Sequence, residues 1–140
     1  MQPHSGRSIM GKCAATIRFL AWLVSRTPTA REQLANWNRV VQFSLSGEKP
    51  FFVTVLDKHM KYGVGEADKP DLVFKSTSDE FFDVMIGRTK FEQGFSKGIY
   101  TIQGSITDAV RLVRIAELAL ASHSTLASLV KSASRLAIMS

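Results

Sequence analysis

The chain has one cysteine, Cys13, in 140 residues, which excludes an intramolecular disulfide framework. It also has no Asn-x-Ser/Thr glycosylation acceptor, and both scarcities fit a reducing, cytoplasmic setting. The three histidines, His4, His59 and His123, show no metal-ligand spacing with one another or with Cys13, so no metal site is expected. No run reaches the roughly 20 apolar residues that span a bilayer. The nearest, CAATIRFLAWLV at 13–24, is short, interrupted by Arg18 and followed by SRTPT, which lacks the small-residue cleavage site of a signal peptide. It is expected to form a helix lying on a membrane surface or packed against the domain.

What is present suits one compact domain over residues 1–140. Hydrophobic residues make up 45% of the chain, enough to argue against wholesale disorder. The net charge of +6 is unevenly spread: +5 over residues 1–45, −2 over 46–108 and +3 over 109–140. Basic ends raise the local concentration of phosphate-bearing partners, and peripheral contact with an anionic membrane is the expectation. No nucleic-acid partner is expected, because neither a zinc-finger pattern nor an aromatic RNA-binding signature accompanies Arg111 and Arg114. Glu117 continues that strip at i+3 from Arg114, where an ion pair is expected.

Alternation marks the strands. Val41, Phe43 and Leu45 share one face of VVQFSLSG, with Gln42 and Ser44 on the solvent face. PFFVTVLD (50–57) and MKYGVGE (60–66) follow after tight turns, predicting an antiparallel meander. DLVFKS (71–76) adds a fourth strand. Capping boxes, Ser/Thr followed three residues later by an acid, occur at Thr77 and Glu80, Thr89 and Glu92, and Ser105 and Asp108. They predict helices over about 78–86, 90–97 and 106–120, the first two stopped by Gly87 and Gly98. The strand IYTIQG (99–104) lies between, and Thr29 with Glu32, after Pro28, opens a helix ahead of the first strand. Leu126, Leu129, Val130, Ala133 and Leu136 recur at helical spacing and predict a terminal amphipathic helix.

Two motifs resemble catalytic or nucleotide-binding signatures. GFSKG (94–98) has the G-x-S-x-G form, with Asp108 and His123 following in triad order. That chemistry needs a strand, a sharp turn and then a helix, whereas here a helix precedes and a strand follows. GVG at 63–65 has Asp68 where the third glycine of a dinucleotide loop should stand and no helix after it, so a bulge or a close backbone approach is expected instead. No catalytic residue is expected. The capped segment 78–86 carries Phe81, Phe82, Val84, Met85 and Ile86, more apolar width than a narrow stripe needs, so it covers something wide.

The order of these features, from GEAD and Pro70-Asp71 at the third strand's end, through the capped aromatic helix and Phe95…Gly98, to Gly104 before the last helix, resembles the sterol-carrier-protein family of lipid-transfer domains. The resemblance covers about residues 37–120, with 1–25 and 121–140 as extra terminal segments. It implies an α+β fold: a five-stranded, mostly antiparallel sheet whose helices enclose an apolar tunnel, plus N- and C-terminal helices. It also implies a sterol, fatty acyl, isoprenoid or quinone-like ligand, with no cofactor. The matching positions place Phe81, Phe82, Met85, Phe91, Phe95, Ile102, Ile106, Val110 and Val113 around the cavity, with Val41 and Phe43 from the sheet. A terminal helix is positioned to plug or lid the tunnel. The alternative is an assembly or membrane-docking module for lipid-biosynthetic enzymes.

Overall fold

A computed structural model describes residues 10–122. His4, His123 and the expected amphipathic helix built on Leu126 to Leu136 lie outside the described residues. The element order is α1 (Lys12–Arg26), α2 (Pro28–Glu32), β1 (Arg39–Ser46), β2 (Phe51–Leu56), β3 (His59–Val64), β4 (Leu72–Thr77), α3 (Ser78–Met85), α4 (Phe91–Ser96), β5 (Thr101–Gly104) and α5 (Ile106–Ala121). The five strands form one sheet in the order β3-β2-β1-β4-β5. Three of its four pairings are antiparallel and β1 with β4 is parallel, so the mostly antiparallel α+β architecture and the β1-β2-β3 meander are both present.

Strand alternation sends Val41, Phe43 and Leu45 of β1, Phe51, Val53 and Val55 of β2 and Leu72 and Phe74 of β4 to one buried face. Helices α1, α3 and α5 cover that face. The opposite face departs from expectation at Gln42, which is 4% exposed. The seven-residue connection from β3 to β4 crosses over it, and the side chain satisfies that connection's backbone. Its Oε1 accepts from Ala67 N–H at 2.7 Å, and its Nε2 donates to the carbonyls of Phe51 at 3.0 Å and Gly65 at 3.2 Å. A buried backbone needs such partners, which is why a polar residue is enclosed here. In the GVG segment, a Cβ on Gly63 would stand 2.5 Å from the Phe52 ring on the neighbouring strand. The close neighbour is thus a side chain, not the backbone that was expected, and Gly63 stays in regular register opposite Phe52.

The caps are partly as expected. Thr77 accepts from Glu80 N–H at 3.1 Å and Ser105 from Asp108 N–H at 3.2 Å, but the acids turn elsewhere. The Glu80 carboxylate accepts from the Thr77 hydroxyl, and Asp108 reaches across to Trp37 and Arg39. Thr89 does not cap α4, whose first turn is entered from Lys90 without a side-chain bond. Likewise α2 is entered from Thr27, placing Thr29 inside the helix. Gly87 and Gly98 end α3 and α4 at positive φ.

Helix α1 is not a loose appendage. It packs on β3, α2, α5 and α3 and buries Cys13, Ala14, Ala21, Leu23 and Val24. With Gly11 at its N-cap it has no capping side chain of its own. Glu48, in the β1–β2 turn, supplies one: its carboxylate accepts from Cys13 N–H at 2.9 Å and Ala14 N–H at 3.0 Å, and from the Ser78 hydroxyl at the start of α3. Burial resists the charge on Glu48, but the bonds from Ser78, Cys13 and Ala14 outweigh it and hold the carboxyl below its ordinary range. A carboxyl depressed on folding stabilises the fold above its unfolded value, near 4.3, and that contribution is lost as pH falls through the folded value. Glu48→Ala should therefore destabilise by about 1–2 kcal/mol at neutral pH, the usual cost of losing a cap. In urea unfolding followed against pH, the gap between wild type and variant should narrow progressively below about pH 4.

Candidate functional site

Between the helices and the buried face of the sheet lies an apolar cavity of about 540 Å³. Its floor is aromatic: Phe43 stacks on Phe74 with centroids 5.4 Å apart, and Phe81 of α3 meets both rings at 5.8 and 5.5 Å. Val84 and Met85 of α3 form one wall, Leu112, Val113, Ala116 and Leu120 of α5 a second, and Ile17 and Leu20 of α1 a third. Thr89, Lys90, Glu92 and Glu117 place polar groups along the lining, beside Phe91. The arrangement is a concave apolar volume with a few polar groups, the usual form of a small-molecule site. Among the described residues no cluster of three or more His, Cys, Asp and Glu is placed to hold a metal ion.

Tyr100 fixes the α4 side of this volume. Its ring packs on Phe91 at 5.3 Å and edge-on to Phe74 and Phe81, and its hydroxyl donates to the Phe91 carbonyl. Burial, followed by the nearby Glu92 charge, pushes the phenol's pKa up, so it stays a neutral donor. A Cβ on Gly94 would stand 2.6 Å from the Tyr100 ring. The G-x-S-x-G glycines therefore have packing and turn duties. Ser96 ends a helix, with its hydroxyl donating to Glu92 O at 2.8 Å. Asp108 accepts from Arg39 Nε at 2.8 Å and Trp37 Nε1 at 3.0 Å. Burial resists its charge, and the Arg39 and Trp37 bonds override it to lower its pKa.

Of the residues expected around a cavity, Phe43, Phe81, Met85, Phe91 and Val113 line it. The others do not. Val41 is fully buried in the sheet core. Phe82 turns toward α1, with the Lys12 ammonium 5.1 Å above its ring. Phe95 is 45% and Ile106 44% exposed. Ile102, on the edge strand β5, packs partly buried against the core, and Val110 faces an open groove on the far side of α5. Arg114 and Glu117 form no ion pair with each other, and Arg111 instead lies 5.1 Å over the Trp37 ring with Nη2 donating to Gln33 O. Two of the misplaced residues, Ile106 and Val110, lie on α5, which carries apolar residues on most of its circumference, so periodicity alone does not say which stripe faces inward. Phe74 was readable as inward from strand alternation. Ile17 and Leu20 were overlooked because α1 was set outside the family pattern.

The profile of the SCP-2 sterol transfer family matches residues 20–117. The chain belongs to this lipid-binding family, and the match takes in the second half of α1 and all of α2. A mouse protein, hydroxysteroid dehydrogenase-like protein 2, is 34% identical over 79 residues, which is 54% of this chain and 16% of that protein. The chain thus matches only a small part of that relative's length. Among solved structures, a UbiJ-SCP2 ubiquinone synthesis protein superposes with a TM-score of 0.60 at 19% identity, covering 76% of this chain and 95% of that one. Sterol carrier protein 2 from Yarrowia lipolytica, in its apo form, gives 0.56 at 18% identity, covering 76% and 88%. These likenesses share the fold.

Val113 separates a cavity wall from a solid interior. Enlarging a residue in a filled core costs about 1–3 kcal/mol by overpacking. At a wall facing open volume, Val113→Trp should fill the space with little strain. The expected outcome is urea-unfolding stability within about 1 kcal/mol of wild type and at least a tenfold loss in affinity for a fluorescent fatty acid.

Proposed function

We propose that the protein is a non-catalytic carrier that holds one long-chain amphiphile in the cavity between α1, α3, α5 and the sheet. The observation that carries this reading is the concave aromatic and aliphatic lining with its polar groups at Thr89, Lys90, Glu92 and Glu117. A volume of about 540 Å³ lies within the range of roughly 300–1,000 Å³ usual for small-molecule sites. Family membership supports lipid as the ligand class. The engagement of Asp108 with Arg39 and Trp37 supports binding rather than triad chemistry.

A second reading, docking on a membrane or on lipid-biosynthetic enzymes, is favoured by α1. Trp22 is 51% exposed on its outer side, with the Arg26 guanidinium 4.9 Å over its ring and Phe19 stacked at 6.2 Å. Aromatic and basic groups on one amphipathic helix suit an anionic interface. In this reading the protein works in the cytoplasm and touches membranes peripherally. The structural likeness to a ubiquinone synthesis protein is in keeping with such a setting.

One assay tests both readings: uptake of a fluorescent fatty acid from vesicles, with sterol and isoprenoid competitors. The carrier reading expects saturable one-to-one uptake, displaced by at least one of the unlabelled lipids. Absence of saturation with every competitor would overturn it. The docking reading expects faster uptake from anionic than from zwitterionic vesicles, an advantage erased by salt because charges near a membrane are screened within about 8 Å. Equal rates from both vesicles would overturn that part alone.

A further inference from the structure

Helix α5 is apolar on more sides than its place in the fold uses. One flank packs through Ala109, Ile115 and Ala119, which are buried, and a second lines the cavity through Leu112, Val113 and Ala116. A third flank, bearing Val110, Arg114, Leu118 and Ala121, borders an open groove of about 740 Å³ together with Gln33 and Arg111. No element among the described residues covers it. At the start of the helix Ile106 is likewise exposed. On this flank Val110, Leu118 and Ala121 alternate with Thr107, Arg111, Arg114 and Glu117, a mixture that suits a weak, polar interface. On this flank two exposed charges, Arg114 and Glu117, have neither an ion-pair nor a side-chain hydrogen-bond partner among the described residues.

We infer that this flank of α5 is a two-fold contact between two copies of the chain, with the helices antiparallel about an axis passing between Arg114 and Glu117. The argument is self-complementarity, which an isologous interface requires. Antiparallel pairing that sets Arg114 against Glu117 of the partner subunit necessarily sets Glu117 against Arg114 of the partner subunit. The same register sets Val110 against Ala121 of the partner subunit, one turn out on either side. Both ion pairs then form at once, flanked by apolar contacts. A register shifted by three residues sets Arg114 against Arg114 of the partner subunit, so charge selects between the two.

The chain's own residues 123–140 are a poorer occupant, since they carry Lys131 and Arg135 and no acid, while the groove already presents Arg111 and Arg114. A contact built on a single 16-residue helix buries less than the roughly 1,600 Å² of a standard interface. Association is therefore weak and concentration-dependent. The inference does not rest on the carrier reading, although Glu117 borders both the groove and the cavity.

The test is sedimentation velocity of the full-length protein from about 1 µM to 1 mM, with Arg114→Glu, Glu117→Arg and the double exchange, each checked for folding by circular dichroism and melting. Both positions are exposed, so folding should survive. Wild type should pass from monomer to dimer, each single reversal should weaken dimerisation at least tenfold, and the double exchange should restore it. A monomer at every concentration overturns the inference, as does a dimer indifferent to the reversals. A reversal that lowers the melting temperature of a chain that stays monomeric assigns the face to residues 123–140 and overturns it as well.

Discussion

The Glu48 carboxylate is the joint on which the rest of the structure depends. It sits in the β1–β2 turn and meets the first N–H groups of α1 and the first residue of α3, so one side chain ties both helices to the sheet. Two helix N-termini converging on one acid is the favourable direction for their dipoles. A Cβ on Gly11 would collide with this carboxylate, which explains a glycine where a capping serine would otherwise be expected. Cys13 is buried beside it, with Sγ 3.2 Å from Ser78 O. Burial first, and then the neighbouring Glu48, push the thiol's pKa upward, keeping it a neutral packing group.

With α1 held there, the helices meet the sheet from separate directions and do not close over its aromatic centre. The cavity is what remains. Such an open concave volume is filled by solvent or by an apolar ligand chain, and the spacing of α1, α3 and α5 sets its shape.

Much of this was readable from residues alone. Alternation in β1, β2 and β4 assigns the inward face, Thr77 and Ser105 mark helix starts, and Gly87 and Gly98 mark the stops. What sequence conceals is contact between distant segments. Gln42 looks solvent-facing until the β3–β4 connection is known to cross it. Arg18 in segment 13–24 suggests a surface helix, yet Ile17 and Leu20, on the other side of the same turns, line the cavity. Phe82 and Phe95 are aromatic neighbours of Phe81 and Gly94, and only the packed helix shows that each faces away from the cavity.

The central claim is that the volume above Phe43 and Phe74 is where a lipid chain sits. The most direct measurement is isotope-filtered NMR, with carbon-13-labelled palmitate bound to protein labelled at its Ile, Leu and Val methyls. The account predicts cross-peaks from the chain to Ile17, Leu20, Leu112 and Val113. Cross-peaks confined to exposed methyls such as Leu56 and Val64, or none at saturating palmitate, would contradict it.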